Sequence, residues 1–247
     1  MKYSCKELKA MARNQLAGHY GIYIGAFMLY TLINITATSI LSAVMKGSTV
    51  LISASGEIIT ENIPGYLLYT VITLLVNLIL SVLVVGFNKM FLDGSRGYQI
   101  KFEDLFYGFR HHPDRIIIAQ FILQIISTIC MLPLDLVITH LDIWPIEFII
   151  IALVATAIGE IIWLFISILF CQAMFLLADY DDIGAMQALK ESVKLMKGNK
   201  GKYLYMSFSF FGMIVLSIFS CYIGYLWVFP YMMMTETNFY RAVMGEI

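Results

Sequence analysis

Long apolar stretches alternate along this chain with short polar, basic ones. Apolar blocks cover roughly 21–45, 66–92, 115–138, 147–178, 203–221 and 225–240. A helix needs about 20 apolar residues to cross a hydrocarbon core of about 30 Å, and the first four blocks meet that length. In lipid, backbone polar groups must be satisfied internally, so such blocks are helices or barrel strands. Barrel strands alternate apolar and polar residues at every second position; Ile146–Leu153 and Ile161–Leu169 show no alternation. The pattern predicts an all-α, polytopic transmembrane helical bundle forming a single membrane domain over 1–247.

The last two blocks are crowded. Tyr203–Met234 holds 32 residues, too few for two full crossings at about 20 each. The sixth span must borrow Thr235, Glu236, Thr237 and Asn238, with a re-entrant segment as the alternative. Pro230 lacks a backbone donor and predicts a kink.

Charge sets the expected orientation. Basic residues cluster at 1–20 (Lys2, Lys6, Lys9, Arg13), at 89–115 (Lys89, Arg96, Lys101, Arg110, Arg115) and at 179–202 (Lys190, Lys194, Lys197, Lys200, Lys202), and Arg241 adds one in the tail. Only Lys46 falls on the other side, so fifteen of sixteen share one face. Cytoplasmic loops carry the excess of Lys and Arg. Both termini are therefore expected in the cytoplasm, which requires an even number of spans.

The basic segments share a grammar. Ser4 and Glu7 form a capping box ahead of Leu8, Met11, Ala12 and Leu16 at helical spacing. Phe102, Leu105, Phe106 and Phe109 repeat that spacing, as do Met186, Leu189, Val193 and Met196 after a candidate Asp182 cap. Gly18, Gly108 and Gly198 follow at equal intervals of 90 residues and suit left-handed helix caps. Phe87–Asp93 also resembles Cys171–Leu177, with Tyr231–Met234 offered as a third copy. The expected plan is six spans as three repeats of an interfacial amphipathic helix plus a two-span hairpin, with units at approximately 1–95, 96–180 and 181–247.

Several stretches carry a resemblance. Ala188–Lys200, Lys101–Phe109, Leu177–Asp179 and Leu226–Tyr231 resemble, in order and spacing, a bacterial integral membrane family known only as domain of unknown function 975. The resemblance covers essentially the whole chain. It implies a polytopic bacterial membrane protein and no established activity, cofactor or catalytic residue. The family's usual Pro-Gly in the fourth span is absent near Ile162–Trp163. The chain is also distantly similar to membrane domains attached to some glycerophosphodiester phosphodiesterases, but phosphodiesterase activity does not carry over without their catalytic domain.

Composition narrows the chemistry. The chain is 60% hydrophobic and 13% charged, with net charge −1, which gives no basic face for nucleic acid. Cys5, Cys130, Cys171 and Cys221 show no metal-ligand spacing and read as packing residues. No nucleophile elbow, P-loop or HExxH is present, so no enzyme and no cofactor are expected. His19, His111 and His112 read as interfacial packing. His140, Asp142 and Glu147, with Asp135 nearby, match no metal-ligand pattern.

Two groups of residues stand out. Glu160 lies near the middle of block four, where an ionisable group costs at least about 2.5 kcal/mol and usually faces the bundle interior. It reads as a ligand or proton-coupling group, or as a hydrogen-bond partner of Asn34, Asn77 or Gln124. The over-long fourth block tilts, or breaks near Gly159. Lys190, Lys194 and Lys197 form a stripe suited to anionic lipid head groups or to ordinary anchoring.

The expected protein is a non-enzymatic multi-pass protein of the bacterial cytoplasmic membrane that binds or moves a lipid-like molecule. An accessory or scaffold role in a membrane complex is the alternative. Membrane lipids are the expected partners; a membrane-protein partner or a second copy stays open.

Overall fold

The computed structural model describes residues 3–52, 58–61, 63–140 and 145–247, with side chains described for 3–43, 68, 70–131, 133 and 145–247. The apolar blocks are helices. The first two are α2 (Tyr20–Thr49) and α3 (Ile63–Ser95); then come α5 (Pro113–His140) and α6 (Ile146–Phe170), which continues into α7 (Ala173–Asp179). The last are α9 (Lys200–Phe208) with α10 (Phe211–Phe219), and α11 (Tyr225–Met244). Each basic segment adds a short helix ahead of a long one. These are α1 (Cys5–Leu16), a 3-10 turn at Phe102–Phe106 leading into α4 (Tyr107–Arg110), and α8 (Ala185–Met196). A short antiparallel strand pair, Val50–Ile52 with Ile58–Glu61, joins α2 to α3.

Among the described residues, five helical segments are long and apolar enough to cross a membrane: Tyr20–Ala43, Thr70–Ser95, Pro113–Met131, Ile146–Asp179 and Lys200–Phe219. The last helix, α11, is not among them. Its second half carries Thr235, Glu236, Thr237, Asn238 and Arg241, and most of that half is buried.

The long helices pair head to tail. Tyr23 stacks on Phe91 at 4.4 Å and Tyr30 meets Phe87 at 5.7 Å, which fixes α2 against α3. Gly159 of α6 lies so close to α5 that an added Cβ would sit 2.4 Å from the Cys130 carbonyl oxygen. Tyr203 packs on Phe239 at 5.3 Å and Phe210 on Tyr231 at 5.2 Å, so α11 runs back along α9 and α10. The ends of α3 and α11 close alike. Tyr98 N–H bonds to Asp93 O at 2.9 Å and Glu246 N–H to Arg241 O at 2.9 Å. Gly97 and Gly245 sit in the left-handed region at φ +84° and +81°. A glycine closes such a helix end because it has no Cβ to clash.

The helix-start and cap expectations divide. The capping box of α1 is formed: Glu7 N–H donates to Ser4 Oγ, and Ser4 N–H to Glu7 Oε2 at 2.6 Å. Gly18 and Gly198 both take φ +82° after their helices. Gly108 does not; it is buried inside α4, and a Cβ there would meet the Val82 carbonyl oxygen at 2.6 Å. Its missing side chain allows close backbone approach rather than a left-handed turn. Asp182 does not cap α8, whose N-cap is Gly184 with no side-chain bond.

The break in the fourth block also moves. The helix is continuous through Gly159, because that glycine is used to approach α5. It is interrupted instead at Cys171–Gln172, where α8 docks. Ser192 Oγ donates to Leu169 O at 2.8 Å and accepts from Gln172 N–H at 3.2 Å. One hydroxyl thus satisfies two backbone groups that the break sets free.

The buried core gathers at the basic end. Leu8, Ala12 and Leu16 of α1 and Ala188, Ser192 and Met196 of α8 are all fully enclosed. Each pair of helix faces has the same spacing of four residues. Burying a side chain such as Leu8 or Leu16 contributes about 2 kcal/mol, enough to hold these short helices down. Away from that end the surface is apolar: Leu32, Ile129, Ile151, Leu153 and Phe165 are exposed. Large side chains facing outward on apolar helices are what a lipid environment requires.

Candidate functional site

A polar assembly ties the hairpin ends together at the basic end. Arg96, just past α3, donates two bonds to Asp179 at the end of α7, at 2.6 and 2.9 Å. The same guanidinium reaches Glu246, which also accepts from Arg241 at 3.0 Å. Tyr240 O–H donates to Asp179 Oδ2 at 3.0 Å, and Arg241 donates to Ser95 O at 2.7 Å. Two-bond arginine–carboxylate contacts add geometric definition as well as energy. The Leu-Ala-Asp stretch at 177–179 therefore does structural work.

A second arginine shapes the loop after α7. Arg115 is buried and donates to the carbonyls of Leu177, Tyr180 and Ile183 and to Asp181. Tyr107 O–H donates to Asp181 at 2.6 Å. That bond is the main reason the Asp181 carboxyl lies below its usual value, while burial and then the same bond push the Tyr107 phenol up. The loop walls a cavity of about 430 Å³ bounded by Tyr180, Asp181, Asp182, Gln187 and Glu191.

The four predicted intramembrane polar residues do not meet. Glu160 is exposed on the outer side of α6, one residue from the Gly159 contact. Asn34 turns its amide back to Tyr30 O at 2.9 Å on its own helix, and Asn77 is exposed on α3. Gln124 borders a cavity. Its amide lies with Gln120 and Ser127 along α5, facing Trp163, Ser167 and Cys171 of the α6 side across a groove of about 250 Å³. Neither Gln120 nor Gln124 hydrogen-bonds to another described residue. Residues 120, 124 and 127 fall on one helix face, so the α5 wall of this groove is polar within an apolar span.

Glu236 is a second enclosed acid, although its sequence context marks it only as a residue borrowed by a short sixth span. Tyr203 O–H donates to Glu236 Oε1 at 2.6 Å, linking α9 to α11. The nearest sequence signal was its place one turn before the packed Phe239–Tyr240 pair. Gln172 donates to the neighbouring Cys171 sulfur at 3.1 Å, and Asn238 donates to Gln15 at 2.8 Å, linking α11 to α1.

The lysine stripe is at the surface. Lys190 and Lys197 are exposed, and Lys194 pairs with Glu191 at 2.7 Å. Met186 and Val193 are exposed along the same side, so this face of α8 mixes apolar and cationic groups as an interfacial helix does. Among the described residues no cluster of three or more His, Cys, Asp or Glu is placed to hold a metal; Asp142 lies outside the described residues.

The family model described as "Protein of unknown function (DUF975)" matches residues 1–246. No curated protein and no solved structure matches the chain.

Proposed function

The chain belongs to the DUF975 family of unknown function, and from that premise we propose that it is a non-enzymatic membrane protein that binds or moves a lipid-like, amphipathic molecule. The groove between α5 and α6 is its site. The observation that carries this reading is the pair of unbonded amides, Gln120 and Gln124, inside an apolar span. An unsatisfied polar group in hydrocarbon costs several kcal/mol, so these amides call for an occupant with polar atoms. Chains of that occupant lie along the open, membrane-facing side of the groove.

In the same proposal the chain crosses the bacterial cytoplasmic membrane six times, with its basic end and both termini in the cytoplasm. Support comes from the antiparallel run of α11 along α9–α10 and from the asymmetry of Lys and Arg. The common order of short helix and hairpin supports three repeated units, and the paired φ values at Gly18 and Gly198 support the likeness of the first and third.

Native mass spectrometry of the purified protein tests the groove. Wild type is expected to retain a lipid-sized adduct that a protein with Gln120→Leu and Gln124→Leu loses. Equal retention by both proteins overturns the assignment. The scaffold reading keeps one specific observation in its favour, the exposed carboxylate of Glu160 among outward-facing Ile158, Ile161 and Leu164. A helix from a partner or a second copy would shield it from acyl chains.

A further inference from the structure

We infer that the head group held in the α5–α6 groove is uncharged and carries both a hydroxyl donor and ester carbonyl acceptors, the chemistry of a diacylglycerol rather than of a phospholipid. This deepens the proposed lipid-like role of the same groove and rests on it.

The lining decides the charge. Its polar members are Gln120, Gln124, Ser127, Ser167, Cys171 and the indole N–H of Trp163, and no Lys, Arg, His, Asp or Glu borders it. A phosphate there would be stripped of water with no opposing charge, which costs far more than burying a neutral group. The lining also decides the hydrogen-bond pattern. Each free amide offers two N–H donors and one carbonyl acceptor. The Ser167 hydroxyl already donates to Leu164 O and so leaves acceptor capacity toward the groove, whereas the Cys171 sulfur is engaged by both Ile168 O and the Gln172 amide. Donors and acceptors therefore stand side by side. A head group with only acceptor oxygens would leave both glutamine carbonyls unmatched; a free hydroxyl fills one of them, and ester carbonyls take the amide N–H groups.

Depth points the same way. Gln120 and Gln124 lie seven and eleven residues beyond Pro113, about 10 and 16 Å along the helix at 1.5 Å per residue. Gln124 is thus about 13 Å along the helix from Arg115, away from the level of Arg115 and the α8 lysines, while the other end of the groove, at Cys171, adjoins the break where α8 docks. A phospholipid head stays at the level of those cations, whereas a neutral glycerol head can sink into the hydrocarbon.

The test uses the full chain in nanodiscs with two photoreactive probes of identical acyl chains, a diacylglycerol and a phosphatidylglycerol. Crosslinked peptides are mapped by mass spectrometry. The diacylglycerol probe is expected to label the segments around 120–127 and 163–174 in preference to the phosphatidylglycerol probe. Unlabelled dioctanoylglycerol should compete in the wild type, a readout that needs no variant. The protein with Gln120→Leu and Gln124→Leu should lose about tenfold in groove labelling, the loss of two ordinary hydrogen bonds. Asn77→Leu, exposed and outside the groove, should leave it unchanged. Equal or stronger groove labelling by phosphatidylglycerol overturns the neutral head group and leaves the groove assignment standing. No groove labelling by either probe overturns both.

Discussion

Arg96 clasps Asp179 with two hydrogen bonds of 2.6 and 2.9 Å across 83 residues of chain. The carboxylate side chain is only 8% exposed, and Tyr240 adds a third bond to it. Arg96→Met should lower stability by about 3 kcal/mol, because removing one partner strands the other charge in a buried place. The paired change of Arg96→Met with Asp179→Leu should recover most of that loss. Thermal unfolding in detergent checks both; an additive double variant would sink the pair as a unit.

Ser192 closes the break between α6 and α7. Ser192→Ala leaves Leu169 O and Gln172 N–H unpaired and should cost about 1–3 kcal/mol. Ser192→Thr keeps the hydroxyl but adds a methyl at a fully buried position. Melting temperatures should rank the serine protein first, and an unchanged alanine variant would contradict the bridging role.

Five apolar helices, the Ser4–Glu7 box and the caps at Gly18 and Gly198 are legible because each is a local property of the chain. Azimuth is not. α6 is apolar all round, so its pattern states depth without stating which way Glu160 points. The fold uses Gly159 to approach Cys130, and that choice turns the next residue outward. Gly108 was misread for a related reason: its neighbour, Val82, lies 26 residues away in sequence, and nothing near 108 announces the contact. Glu236 was hidden by its polar surroundings, which resemble a loop until α1 and α9 close over them.

The two kinds of glycine should respond differently. Gly18→Ala meets no atom within 4 Å and bears only the cost of its left-handed φ, about 1 kcal/mol. Gly86→Ala and Gly108→Ala place a Cβ 1.9 and 2.6 Å from backbone oxygens of Leu105 and Val82. Backbone must move there, at about 1–3 kcal/mol or more. Expression level and thermal stability should fall much further for 86 and 108 than for 18.

The Tyr107–Asp181 bond predicts a pH window. The Asp181 carboxyl is depressed in the fold, so its contribution is present above the unfolded value near 3.8 and fades as pH falls through the lower folded value. The Tyr107 phenol is raised, so its contribution holds below the unfolded value near 10.0 and fades as pH rises toward the folded value. The stability gap between wild type and Tyr107→Phe should therefore be level from about pH 5 to 9 and narrow outside that range. The gap should stay under about 1 kcal/mol, because Asp181 is half in water. A gap that widens toward alkaline pH would contradict the assignment.

Cys221 tests the last hairpin. It is exposed at the turn between α10 and α11. A membrane-impermeant maleimide added to intact cells should label it from outside, with the signal lost in Cys221→Ser. Labelling only after the membrane is opened would make the hairpin re-entrant.

The close approaches at Gly86 and Gly108 interlock: α3 gives up a side chain to admit the 102–110 segment, and that segment gives one up to admit α3. Two such notches act as a key and a slot, setting the register of the joint to a single residue. Extra residues inserted in the connection at 96–101 would bulge into water and leave the joint seated. One extra residue between 102 and 108 would bring a side chain to a notch built for none, so this short stretch tolerates no change of length.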